Sequence, residues 1–104
     1  MKTIINGKKY DTETATCVAE WDNGVYGAGD FHRCAEALYQ TKNGSFFLHG
    51  EGGALSSYAE SCGQNSWCGG EKIIPMTEGE VRVWLEGRGL AKDYEEIFGV
   101  CEDA

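Results

Sequence analysis

The residues best suited to chemistry are His32, His49, Cys17, Cys34, Cys62, Cys68 and Cys101. His32, Cys34, His49, Cys62 and Cys68 are ligands of the type zinc takes. Their spacing is not that of a finger or ribbon, which pairs ligands two to four residues apart. One residue separates His32 from Cys34, and five separate Cys62 from Cys68. A nucleophilic centre needs a thiol or hydroxyl beside a base. Cys34 or Cys68 with His49 supplies such a pair, but no third, orienting residue and no local signature accompanies either cysteine. Glu51 lies within His49-Gly50-Glu51-Gly52-Gly53. No Gly-Lys-Ser/Thr follows, and a carboxylate there repels phosphate, so a phosphate cradle is excluded. With 17 Asp and Glu in the chain, chance carboxylate pairs are inevitable, and solvated surface is the expected role for most of them. The expectation is a protein that is not an enzyme, with no catalytic residue, metal site or cofactor. The chemical alternative is a small zinc- or thiol-dependent domain.

Five cysteines are an odd number, unlike a secreted disulfide scaffold. In a reducing compartment they are thiols more often than bridges. Cys17, Cys34 and Cys101 are expected as small core residues, and only Cys62 and Cys68 are near enough in sequence for a local bridge.

The net charge is −8. Binding nucleic acid requires a cationic face that displaces counterions from phosphates, and an anionic membrane makes the same demand. Neither is expected as a partner; a basic protein is. The charge is concentrated near the end of the chain: Glu78, Glu80, Glu86, Asp93, Glu95, Glu96, Glu102 and Asp103 face only Arg82, Arg88 and Lys92 in the last 27 residues. Such a face complements a cationic groove and steers association. Glu78, Glu80, Glu86, Asp93, Glu95 and Glu96 are the candidate partner-binding residues. After Lys2, only Ile4 and Ile5 are consecutive apolar residues, too few for a signal-peptide core, so a cytoplasmic location is expected.

The 104 residues have the length of one domain. Lys2–Ile5 reads as a strand turned by Asn6-Gly7, a pair suited to the positive φ of a type I′ turn, into Lys8–Tyr10. A helix is predicted from Asp11 or Thr12 to about Trp21, because Ala15, Val18 and Ala19 recur at helical spacing. Residues 22–31 are a Gly-rich loop anchored by Tyr26 and Phe31. Leu38–Thr41 and Ser45–His49 form a hairpin around Lys42-Asn43-Gly44. Leu38 alternates with Tyr39, and Phe46 and Leu48 alternate with Phe47, so both faces are apolar and the hairpin should be central.

Residues 49–54 are expected as a flexible turn. A short helical segment should run from Ser56 or Ser57 to Glu60, followed by a polar loop over 61–70. Glu71–Pro75 reads as an edge strand, because Pro75 cannot donate to a ladder. Thr77-Glu78-Gly79-Glu80 is a capping box opening a helix to about Gly87, with Val81, Trp84 and Leu85 inward. A last helix, Ala91–Phe98, buries Leu90, Tyr94, Ile97 and Phe98. The predicted class is α+β: an antiparallel sheet of about four to five short strands with two to three helices packed on it.

The opening Met1-Lys2-Thr3-Ile4-Ile5-Asn6-Gly7-Lys8-Lys9-Tyr10-Asp11-Thr12-Glu13-Thr14-Ala15 resembles a group of small proteins of Gram-positive gut bacteria and their phages and mobile elements. Leu38-Tyr39, Phe46 to Ala54, Gly70 to Thr77 and Tyr94 to Gly99 look like the same group. The resemblance implies no catalytic residues. Small acidic proteins of such elements include anti-CRISPR proteins, which occlude the cationic nucleic-acid channel of an effector. By that analogy the expected function is anti-CRISPR inhibition: binding a basic nucleic-acid-handling protein and blocking its nucleic-acid site through an acidic surface. The alternative outside that class is a general interaction module.

Overall fold

The computed structural model describes residues 1–24, 33–53, 58–63 and 66–104, with residues 61–63 and 66–68 by backbone alone. In chain order, the strands are Lys2–Ile5 (β1), Lys8–Asp11 (β2), Thr16–Asp22 (β3), Cys34–Gln40 (β4), Phe46–Gly52 (β5), Glu60–Gly63 (β6), Ser66–Cys68 (β7) and Gly70–Met76 (β8). The helices Glu78–Gly87 (α1) and Ala91–Phe98 (α2) follow. The class is α+β, as predicted. A four-stranded antiparallel sheet, in the order β3-β4-β5-β8, carries both helices, and β1-β2 and β6-β7 are separate two-stranded ribbons. No described helix is long and apolar enough to cross a membrane.

Register explains the two apolar layers. Opposed residues of antiparallel strands share a face. Ala19, Leu38 and Leu48 are opposed across β3, β4 and β5, and Phe46 lies on the same face. With Val81, Trp84 and Leu85 of α1 they form the larger core cluster. Leu90, Tyr94, Ile97 and Phe98 pack against it but stay partly exposed, so α2 is a cover rather than a buried helix. On the other face, Tyr39 stacks on Phe47 with ring centroids 5.2 Å apart, and Tyr10 meets Phe47 edge-on at 5.6 Å. Phe47 is fully buried there with Ile73 under the β1-β2 ribbon. The β4-β5 hairpin is central, as its two apolar faces predicted. β8 is an edge, as Pro75 requires. The turn of the first ribbon has positive φ at Asn6 (52°) and Gly7 (78°).

Residues 16–22 form a strand where the spacing predicts a helix. Cys17 pairs with Tyr39 and Ala19 with Leu38, so the ladder skips Val18 in a β-bulge. The extra residue lets adjacent Val18 and Ala19 both reach the same core cluster. The bulge thus produces a spacing that resembles the i, i+3, i+4 pattern of a helix. Pairing with β4 wins because it satisfies the backbone along the whole strand, whereas a narrow face of small side chains buries little.

Residues 49–52 of the expected turn are instead the end of β5, Ala54 lies outside the described residues, and Gly50 marks a close approach. A Cβ there would fall inside the Tyr58 ring. The expected helical segment is absent at 58–60, where Glu60 already belongs to β6; Ser56 and Ser57 lie outside the described residues. The expected polar loop at 61–70 holds β6, β7 and the start of β8, with a register shift between Ser61 and Gly63. Tyr26, Phe31 and His32 lie outside the described residues.

Candidate functional site

Helix α1 begins as the capping box dictates. The Thr77 hydroxyl accepts from the Glu80 N–H at 3.2 Å, and the Thr77 N–H donates to the Glu80 carboxylate at 3.0 Å. Glu80 is therefore partly committed to the helix start. One turn on, Arg82 donates to Glu78 at 2.9 Å and to the Tyr94 hydroxyl at 3.0 Å. Its guanidinium also lies 4.0 Å from the Phe98 ring centroid. Arg82 thereby ties α1 to α2 and takes up the charge of Glu78. Glu78 and Glu80 are thus both tied to local structure.

The other four predicted residues are not. Among the described residues, Glu86, Asp93, Glu95 and Glu96 have no cationic group within 4 Å. They divide into two groups. Glu86 and Glu95 border an apolar groove between the helices, lined by Leu85, Leu90, Tyr94 and Cys101. Glu96 borders a hollow beside Cys17, Phe46 and Phe98, and Asp93 influences Cys17 electrostatically. The helical pair gathers all six carboxylates, but around its surface rather than on one plane.

Most of the cations lie elsewhere or are engaged; Lys92 is on α2 itself and makes no ion pair among the described residues. All three arginines are ion-paired: Arg33 with Glu51, Arg82 with Glu78 and Arg88 with Glu36. Four of the six lysines, Lys2, Lys8, Lys9 and Lys42, belong to the β1-β2 ribbon or the β4-β5 turn. The charges are therefore only partly segregated along the fold, since Arg82, Arg88 and Lys92 belong to the helical pair.

The residue most deeply engaged was invisible to motif reasoning. Glu36 is 7% exposed. It accepts from the Tyr58 hydroxyl, from Arg88 and, at 3.2 Å, from the Trp84 indole N–H. Arg88 in turn stacks 3.7 Å from the Trp21 ring centroid. Burial, followed by the bond to Glu36, holds the Tyr58 hydroxyl well above the usual tyrosine pKa. Every described polar side-chain atom of this buried kind has a partner, which marks the network as an internal brace joining β4, α1 and the segment before β6. Alternation along Ala35-Glu36-Ala37-Leu38 carries the available signal: it puts Glu36 on the face of Leu38.

The nucleophilic pairing of Cys34 with His49 does not form. Cys34 is opposed to Gly52 and His49 to Ala37, which puts them on opposite faces of the sheet. His49 Nε2 lies 3.1 Å from Glu71 instead. Cys34 is buried, whereas Cys17 and Cys101, expected in the core, are exposed. Partial desolvation of the Cys17 sulfur beside β4, despite the residue's overall exposure, and then the nearby Glu20 carboxylate push its thiol pKa up, the reverse of nucleophile activation. Among the described residues, no three His, Cys, Asp or Glu side chains could together hold a metal ion. The side chains of Cys62 and Cys68 lie outside the described residues; the backbone register sets Glu60, not Cys62, opposite Cys68.

No family model, curated protein or solved structure matches this chain.

Proposed function

We propose that this chain is a non-enzymatic inhibitor that acts in the cytoplasm by binding the basic site of a nucleic-acid-handling protein. A CRISPR effector is the target suggested by analogy with the mobile-element proteins that the sequence resembles. The observation that supports the reading is the set of carboxylates on the helical pair that make no ion pair among the described residues: Glu86, Asp93, Glu95 and Glu96. Carboxylates left unpaired on a cover helix attract a cationic surface and speed its association. Nucleic acid is the competitor in this reading, not the ligand. The helix surface carries the anionic charge that such a groove normally receives from phosphates.

The test is affinity capture from a host lysate, with the Glu95→Lys/Glu96→Lys protein beside the unaltered one. The expected catch is a basic nucleic-acid-handling protein that elutes with salt and is retained at least tenfold less by the reversed protein. Capture indifferent to both salt and charge reversal, or a catch with no basic protein in it, would overturn the reading.

A further inference from the structure

The sheet face opposite the helices is covered at one end only. There the β1-β2 ribbon closes over Tyr39 and Phe47. Beyond that cover, the next two positions of β4 on this face are Ala35 and Ala37, both partly exposed. Glu20 of β3 is opposed to Ala37 and Asp22 to Ala35; on the other side, His49 and Glu51 of β5 are opposed to the same two alanines. Two methyl groups between rows of longer side chains leave a trough of about 490 Å³. Its walls, two strand spacings apart, are roughly 10 Å from each other.

The rim is anionic. Glu20, Asp22 and Glu51 border the trough, and the nearby cation, Arg33, is held 3.2 Å from Glu51. His49 is turned to Glu71. Glu51 and Glu71 are direct cross-strand partners, a like-charge pairing that costs stability. Asp22 accepts from the Gly24 N–H at 2.7 Å and Glu20 lies 3.7 Å from the Cys17 sulfur, so among the described residues only Glu51 of the three rim carboxylates has a cationic partner and the rim stays net negative. The small floor residues also stop the sheet from filling the space with its own side chains.

We propose that this trough docks a cationic segment of a partner protein, with an arginine side chain laid over Ala35 and Ala37 and its guanidinium between the carboxylates of β3 and Glu51. Arginine suits it better than lysine. Its apolar stem covers the two methyl groups, and its planar fork bonds two carboxylate oxygens at once. The trough is on the sheet face away from α1 and α2, so it is a second acidic surface, independent of the helical carboxylates.

The probe is an amidated tetra-arginine peptide titrated into ¹⁵N-labelled protein by NMR. The expected shifts are confined to the amides of residues 20–22, 35–37 and 49–51. Ala37→Leu fills the trough while keeping every charge, and abolishes those shifts. Glu20→Gln/Glu51→Gln keeps the floor and weakens binding roughly fivefold. If the leucine variant fails to fold, the glutamine pair decides. Three results would overturn the proposal: shifts confined to α1 and α2, trough shifts that survive the substitutions unchanged, or no shifts at millimolar peptide. The first leaves the helical reading standing. Conversely, indifference to reversal at Glu95 and Glu96 removes that reading without touching the trough.

Discussion

The two faces of the central sheet use the same four strands and treat acidic residues in opposite ways. On the helix face, Glu36 is buried and accepts three hydrogen bonds, from Tyr58, Trp84 and Arg88. On the other face, Glu20, Asp22 and Glu51 border two alanines, and Glu51 is directly opposed to Glu71. A desolvated carboxylate needs donors on every side, so the first arrangement is rigid and locally complete. Hydrated carboxylates need no such partners, so the second arrangement is tolerated and stays open to an external cation. The contrast indicates that acidity alone is a poor guide to role. Glu36 is structural because of what surrounds it, whereas the rim of the trough has charge to spare.

The comparison can be broken most severely at Phe47. Fully buried under the ribbon, it is the anchor of the covered half of the open face. Phe47→Ala is expected to cost about 4 kcal/mol in urea unfolding. A loss under ~1 kcal/mol would mean that the ribbon does not belong to the core. Next comes Glu36→Ala, which leaves Arg88, the Tyr58 hydroxyl and the Trp84 indole without their shared acceptor. The expected loss is about 3 kcal/mol, against less than ~1 kcal/mol for Glu51→Ala on the other face. Similar losses for the two would erase the distinction drawn here. Gly50→Ala pushes a methyl group into the Tyr58 ring and should cost about 2 kcal/mol, read as a lowered melting temperature.

A smaller effect sharpens the contrast through pH. The Tyr58 pKa is raised in the folded state, chiefly by burial. Its contribution is therefore fully present below the ordinary tyrosine pKa of about 10 and is lost as the pH rises above it. Tyr58→Phe should flatten the alkaline side of the stability profile and leave its shape at neutral pH unchanged. An unaltered alkaline slope would place the titrating group elsewhere. The smallest effect has the opposite sign. Glu71→Lys turns a like-charge cross-strand pair into an opposite-charge one and is expected to stabilise by about 0.5 kcal/mol in a thermal melt.

Where a local signal carried its own hydrogen bonds, it was legible. Asn6-Gly7 turned the first ribbon, the Thr77 capping box opened α1, and Pro75 sat on an edge strand. The inward faces of α1 and of the β4-β5 hairpin were readable because their apolar periods run unbroken. The stretch from Thr12 to Trp21 misled because its period was broken by a bulge, visible only against the partner strand. Gly50 was misread because glycine marks turns and close approaches alike, and nothing beside it in sequence names Tyr58. Of the proposed contact residues, Glu78 and Glu80 were found tied to Arg82 and Thr77, while Glu86, Asp93, Glu95 and Glu96 make no ion pair among the described residues.

By itself the sequence determined the class of the fold, the sites of its sharp turns and caps, and the sign of its charge. Each of these depends on neighbours a few residues away or on composition. Only the tertiary structure decided which carboxylates are internal and which face solvent. Glu36, Tyr58, Trp84 and Arg88 meet across 52 positions of chain, and Ala35 and Ala37 become a trough only once β3 and β5 stand on either side. Solvation is set by what packs against a group from elsewhere in the chain; a local pattern such as Ala35-Glu36-Ala37-Leu38 records only which face a residue takes, not what covers it.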